Sequence, residues 1–577
     1  MSTPAPRVHL ALTELRDLLA SLRLPLRVEG ATIAASERDG LVRQLDDYIL
    51  PRYESLDAPL LAVVGGSTGA GKSTVVNSLL GIRVAASSAI RPTTRRPLLV
   101  HHPDDEDWFT GARILPGFPR VRISPDAAPT PAIGSSQQEL EIRATSRLMR
   151  GLALLDAPDI DSVVDENRAT ANQLLAAADL WLFVTTAARY ADAVPWELLR
   201  EAATRDIVVG VVLNRVPEDD MADVEKDLVS RLEQAGLDTA PLFTIPEIPL
   251  PGGLIPGEYV GPIREWLGGL ATDANARSAV IRRTLAGAVS SAMDRVDGVA
   301  DAAADQARAV NHLESEVNRA RGEALRRVEK AAGDGSLLRG EVLARWQEFV
   351  GTAEWFSKLQ EGIGRLRDMV ADFVRGRPRQ TEQVEAAVED SLLLLLHAEA
   401  RQAVNDIDHA WRFEGGGGSA LLGSALAGLP DDETLRAEIS GQVVGWQRDV
   451  LTLVRNEGAD RRTKARALST GVNALGLTLI IGIFASTGGL TGAEVATAGG
   501  TAAASQALLV AVFGEDAVRR MATTARERLN DRAQAVLAWY LGPFYAAIDS
   551  LDVEVEAAER LRSAVDEIRR AEPGVPA

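Results

Sequence analysis

Leu60-Leu61-Ala62-Val63-Val64 runs straight into Gly65-Gly66-Ser67-Thr68-Gly69-Ala70-Gly71-Lys72-Ser73-Thr74, and that glycine-rich run into Val75-Val76-Asn77-Ser78-Leu79-Leu80. A short, wholly apolar run bounded by glycines reads as a buried strand, and the apolar stretch after Thr74 reads as a helix. Strand, glycine loop and helix in this order make a phosphate cradle. Glycines let successive backbone N–H groups turn toward one anion, and the helix N-terminus adds its partial positive charge. In such a P-loop, Gly66, Ser67, Thr68, Gly69, Ala70, Gly71, Lys72, Ser73 and Thr74 surround the phosphates of a nucleoside triphosphate. The Lys72 ammonium reaches the β- and γ-phosphates and the Ser73 hydroxyl ligates Mg²⁺.

Working outward, Leu152-Ala153-Leu154-Leu155-Asp156 is a second apolar strand that ends in a carboxylate, placed to hold Mg²⁺ through water. Between the two lies Ala89-Ile90-Arg91-Pro92-Thr93-Thr94-Arg95-Arg96-Pro97, a proline-bracketed loop that can carry a threonine to the metal and the γ-phosphate. Asp179-Leu180-Trp181-Leu182-Phe183-Val184-Thr185 and Ile207-Val208-Val209-Gly210-Val211-Val212-Leu213, the latter ending at Asn214-Arg215, are continuous apolar runs. Strands buried on both faces of a mostly parallel sheet read this way. A helical stretch, Trp196 to Ala203, separates them, and a last strand covers Pro241 to Ile245. The alternation predicts an α/β domain over 58–270.

A chain of 577 residues exceeds one hydrophobic core, so further domains are expected. Hydrophobic residues make up 46% of it, charged residues 25% and aromatics only 5%, a balance that suits long helices. The net charge of −19 supplies no global positive field, which excludes broad nucleic-acid binding. No cysteine is present, so disulfides, thiolate metal sites and cysteine nucleophiles are excluded. Charges at Glu14, Arg16, Asp17 and Arg23 break up the N-terminal segment, which does not read as a secretory signal.

The order and spacing of these motifs resemble the dynamin superfamily of large P-loop GTPases, in particular the bacterial dynamin-like proteins. The carriers are the P-loop, Thr94-Arg95-Arg96-Pro97-Leu98 as switch I, and Leu155-Asp156-Ala157-Pro158 as the start of switch II. The resemblance implies GTP as substrate, Mg²⁺ as cofactor, and hydrolysis to GDP and phosphate coupled to membrane binding or remodelling. Carried over residue by residue, Thr94 is the sensor of Mg²⁺ and γ-phosphate, Asp156 the switch-II aspartate, and Asn214 with Arg215 part of the base-reading segment. Lys72, Thr94 and Asp156 are then the catalytic set, and Ser73, Thr94 and Asp156 the metal set. Helices on both sides of the GTPase domain join it to a stalk in that family, so 1–57 is expected to pack with a helical bundle or stalk over 271–577. The family also implies a lipid partner and a homo- or hetero-oligomer with a dynamin-like partner, in the cytoplasm at the inner face of the cell membrane.

Three departures accompany the resemblance. Asp159 stands where the family has the glycine whose N–H meets the γ-phosphate, and it brings a repelling carboxylate there. Asn214-Arg215-Val216-Pro217 lacks the carboxylate that would read guanine, although Asp219 and Asp220 lie close by. Thr68 and Gly69 replace the family's glutamine and serine. Two alternatives remain open: a nucleotide-binding scaffold with little hydrolysis, and a P-loop ATPase. An ABC-type ATPase fits less well, because no Leu-Ser-Gly-Gly-Gln signature follows the P-loop and Asp156 is followed by Ala157.

In the C-terminal half, Val289, Met293, Val296 and Val299 recur at helical spacing. Gly415 to Gly418 and Arg375-Gly376-Arg377-Pro378 mark breaks. The stretch 467–514 carries a single charge, Glu494, and its first limb is just long enough for the roughly 20 residues that span a bilayer. Arg461, Arg462, Lys464 and Arg466 precede it and Arg519, Arg520, Arg526 and Arg528 follow it, as for a re-entrant membrane hairpin with both ends cytoplasmic. The competing expectation is a small-residue helical hairpin buried in the bundle. His101 and His102 point to opposite faces of a strand and cannot chelate one metal. Trp411 and Trp446 are expected as packing anchors, and Asp431-Asp432 as a helix cap.

Overall fold

The computed structural model describes residues 4–85, 96–111, 114–124, 139–160, 165–334, 337, 341–350, 378–413, 417–459, 472–485, 509–510 and 513–571. They form two compact units: Met1–Leu24 with Glu29–Asp305 and Glu554–Ala577, and Pro25–Val28 with Gln306–Val553.

The first unit is built on an eight-stranded sheet in the order β3-β4-β2-β5-β1-β6-β7-β8. The strands are β1 (Leu60–Gly66), β2 (Leu98–His101), β3 (Arg120–Ile123), β4 (Leu140–Ala144), β5 (Leu152–Asp156), β6 (Leu180–Thr186), β7 (Val208–Val216) and β8 (Leu242–Pro246). All neighbours run parallel except β2 and β5, which pair antiparallel with Leu98 opposite Asp156. The mostly parallel sheet matches the expectation from the apolar runs.

Alternation along the central strands divides the core in two. Leu61, Val63, Leu155, Trp181, Phe183, Val209 and Val211 face one side, while Leu60, Ala62, Val64, Leu154, Leu182 and Val184 face the other. The second face is covered by the helix Lys72–Leu80 through Val75, Val76 and Leu79, and by Ile263 and Leu267 of the helix Gly257–Thr272. The first face continues into a helical layer. Val8, Leu12, Leu15 and Leu19 of the helix Pro4–Ser21 join Val289, Met293 and Val296, with Leu561, Val565 and Ile568 of the helix Ala557–Ala571. Chain segments more than 500 residues apart thus share one apolar cluster. Val289, Met293, Val296 and Val299 all lie on the helix Ala274–Gly333, and each is buried.

The second unit is helical around one core. Its helices include Pro378–Phe413, Asp432–Ala459, Val472–Ala485 and Glu515–Tyr540. Trp446 is fully buried and donates its indole N–H to Ala525 O at 2.8 Å, while Trp411 meets Phe544 edge-on at 5.3 Å. Both serve as packing anchors. Asp431 Oδ1 accepts from Thr434 N at 2.8 Å, the helix cap expected of it.

Most of the stretch 467–514 falls outside the described residues. Within its described part, Leu475, Leu477, Leu479, Ile480, Ile481, Ile483 and Phe484 of the helix Val472–Ala485 are buried in the core of the second unit. Phe484 packs on Trp446 with ring centroids 5.8 Å apart, and Arg526 donates to Ile483 O at 2.7 Å. Among the described residues, no helix is long and apolar enough to cross a membrane.

Candidate functional site

β1 delivers the glycine loop at the C-terminal edge of the sheet, between β5 and β6. Open α/β sheets bind ligands at such an edge. Gly66 has φ 145° and pairs with Val184 of β6, and a Cβ placed on it would fall 1.9 Å from Val184 O. No other residue fits there. Gly69 and Gly71 also take positive φ, 75° and 96°, so the loop curls back on itself before the helix starts at Lys72. Ala70 N closes this turn on Ser67 O at 3.1 Å.

Lys72 is only 5% exposed. Its Nζ donates to Gly66 O at 2.9 Å and to Ser67 O at 3.2 Å, and forms an ion pair with Asp159. Beside it, Ser73 Oγ donates to Asp156 Oδ2 at 2.6 Å. Burial pushes the Asp156 carboxyl up to about 6; the Ser73 hydrogen bond and the Lys72 charge oppose the shift, and the Asp159 charge adds to it. Asp156 Oδ1 is buried with no hydrogen-bond partner among the described residues, and so are Ser67 Oγ and Thr185 Oγ1. A hydroxyl and an orphaned carboxylate oxygen side by side are hard oxygen donors, and that donor set fits Mg²⁺. Among the described residues, no group of three or more acidic, histidine or cysteine side chains could hold a metal on its own.

β7 brings Asn214 to the same edge. Its Nδ2 donates to Ala70 O at 2.8 Å and its Oδ1 accepts from Arg215 N at 3.0 Å, so the amide braces the glycine loop from behind. Arg215 has φ 54° and is exposed. Asp219 and Asp220 fall in the short 3₁₀ turn Glu218–Asp220, and both are exposed. Thr68 and Thr74 flank the cradle, Thr68 before the Gly69 turn and Thr74 in the first turn of the helix. Thr94 lies outside the described residues, as does Arg95. Arg96 is held by Glu139 at 2.7 Å and Glu141 at 3.5 Å.

The geometry therefore brings together Gly66 to Thr74, Asp156 and Asn214. Sequence reasoning missed Thr185, which follows the β6 residue that touches Gly66; its only sequence signal is a polar residue closing an apolar strand. Asp159, which the sequence marks as a carboxylate in the place of a glycine, has that side chain on Lys72. His101 is buried and stacks on Phe109 at 5.3 Å, a packing role.

Residues 61–215 match the model of the dynamin family. The chain carries a dynamin-family GTPase domain. The matched span runs from β1, one residue after its start, to Arg215, and so takes in the whole phosphate cradle and Asn214. Similar solved structures include a chain described as part of an oligomerised bacterial dynamin pair for long-range sensing and tethering of membranes. It is 10% identical, with 96% of each chain covered and a TM-score of 0.37. The bacterial dynamin GTPase LeoA from ETEC is 12% identical, covering 99% of this chain and 98% of its own, with a TM-score of 0.22. Toc33 from Arabidopsis thaliana, in complex with Mg²⁺ and GMPPNP, is 14% identical, covering 41% of this chain and 93% of its own, with a TM-score of 0.23. No curated protein sequence matches the chain.

Proposed function

We propose that the dynamin-family domain binds GTP with Mg²⁺ in the loop 66–74, hydrolyses it to GDP and phosphate, and couples this to membrane binding or remodelling. The observation that carries the reading is the cradle itself: Gly66 packed against the β6 backbone, Lys72 aimed along the loop, and Ser73 bonded to a carboxylate with an oxygen to spare. Lys72 and the loop N–H groups would hold the β- and γ-phosphates. A water would attack the γ-phosphorus in line while the bond to the β–γ bridging oxygen breaks, leaving GDP and inorganic phosphate. Mg²⁺ held by Ser73 and Asp156, with Thr94 added on the family resemblance, would spread positive charge over the transferring phosphoryl.

Membrane coupling is supported by the family resemblance. Oligomerisation with like chains follows from the family resemblance as well. A second reading, a scaffold with little turnover, is favoured by the ion pair that ties up Lys72.

Binding of labelled GTP against ATP to the purified chain with Mg²⁺, followed by phosphate release, tests the proposal. Preference for GTP with turnover, both lost in Lys72→Ala, is the expected result. Preference for ATP would replace the substrate, and binding without turnover would leave the scaffold. Flotation with vesicles rich in anionic lipid tests the membrane arm, where failure to float in any nucleotide state removes it.

A further inference from the structure

Three hydrogens leave the Lys72 ammonium, and three acceptors meet them: Gly66 O, Ser67 O and the Asp159 carboxylate. Two of these are fixed parts of the loop. The third belongs to a segment that enters the site from β5, and it brings a full negative charge. Lys72 is 5% exposed, while the Asp159 side chain is 22% exposed and so sits at the mouth of the cradle. On either side, the chain is anchored. Ala157 N bonds to Val64 O at 3.2 Å, and Ala157 and Ile160 are buried. A carboxylate held between such anchors can turn away from Lys72 but cannot move far from it.

We infer that Asp159 is the residue by which this site discriminates a nucleoside triphosphate from a diphosphate, by holding a competing carboxylate on Lys72 where the γ-phosphate is neutralised. The inference rests on the GTP reading above and adds the selectivity of that site. A diphosphate places its terminal charge in the N–H cradle, where the loop backbone neutralises it. A triphosphate adds further negative charge next to the lysine. It must take the hydrogen that Asp159 holds, and it then lies beside the displaced carboxylate in a partly water-excluded pocket, where like charges repel strongly. The penalty falls more heavily on the γ-phosphate than on the β-phosphate, which the loop N–H groups hold together with Lys72.

The test is calorimetric titration of the full chain, with Mg²⁺, using GDP and the non-hydrolysable GMPPNP. Wild type, Asp159→Asn and Asp159→Gly are compared, with Lys72→Ala as control and thermal unfolding to verify folding. Asp159→Asn keeps the shape and an acceptor for Lys72 but removes the charge. Affinity for GMPPNP is expected to rise about tenfold in Asp159→Asn, with GDP changed less than about threefold, because the triphosphate brings the larger charge beside the carboxylate. GMPPNP binding that appears only in the Asp159 variants, while wild type already binds GDP, would support the inference even more strongly. Equal shifts for both nucleotides would overturn the inference and leave the GTP reading intact, as would weaker GMPPNP binding, which would make Asp159 a phosphate-side or metal-side support. No binding by wild type or either variant would overturn both.

Discussion

The two ends of β1 each carry an ion pair around a buried cation, and the pairs are built differently. At the N-terminal end, Arg52 meets Asp179 with side chains 5% and 0% exposed. The side chains of Arg52, Asp179 and Tyr48 all find partners there. Asp179 also accepts from Tyr48 Oη at 3.2 Å and Leu61 N at 2.8 Å, its carbonyl accepts from Thr284 at 3.1 Å, and Arg52 reaches Pro59 O at 2.9 Å. At the C-terminal end, Lys72 meets Asp159 amid polar atoms without partners: Asp156 Oδ1, Ser67 Oγ and Thr185 Oγ1. A saturated network fastens the helix Leu50–Glu54 and the helix Ala274–Gly333 to the sheet. An unsaturated one is prepared for a ligand that supplies the missing partners, and the unliganded fold bears the cost.

The sharpest way to break this contrast is at the saturated end. Asp179→Ala leaves the Arg52 charge buried and unpaired and is expected to lower stability by about 3–5 kcal/mol, read from urea unfolding. An effect near zero would show that the network is ornamental.

A smaller effect concerns pH. The Asp156 carboxyl is raised to about 6 from an ordinary 3.8, mainly by burial. Between those values the native chain holds a proton that the unfolded chain has lost. Without nucleotide, this contribution is therefore fully present below pH 4 and lost as pH rises through 6, a change of roughly 2–3 kcal/mol. Asp156→Asn should flatten that part of a stability-against-pH profile, and an unchanged slope would move the effect to other groups.

Smaller again, Ser67→Ala removes a buried hydroxyl without a partner. It should raise the unfolding midpoint, by a stability gain of up to about 1 kcal/mol, the opposite sign to Asp179→Ala. The smallest change is expected at Asp206–Arg283, an ion pair at 2.5 Å with both side chains about half exposed. Asp206→Asn should cost less than about 1 kcal/mol by the same unfolding assay.

The unsaturated end was legible in the sequence because its signals are local. β1, its glycines, Lys72 and Ser73 fall within one short run, and Asp156 closes an apolar strand of the predicted extent. The saturated end was not, because Arg52 and Asp179 are 127 residues apart and nothing local couples them. β3 and β4 were missed for another reason. Arg120-Val121-Arg122-Ile123 is short, charged and only partly buried at the sheet edge, so it lacks the apolar run that marked the central strands. The helix Val472–Ala485 shows a third kind of failure. Nearly uniform apolarity serves a protein core and a lipid bilayer alike, and only the packing of Phe484 on Trp446 shows which of them its described residues occupy here. Nor could spacing reveal that the Asp159 side chain, in the place of a glycine, turns onto Lys72.

Asn214 spans two tasks that a nucleotide keeps apart. Its amide splints the phosphate loop through Ala70 O, while its main chain belongs to the strand end where the family resemblance puts the base. The splint is present whether or not a base is. Tripolyphosphate, which has no base at all, should therefore bind Asn214→Ala about tenfold more weakly than wild type, the worth of one lost hydrogen bond at the loop. A residue filed under recognition thus acts as a tendon, and slackening it would be felt by the far end of the ligand.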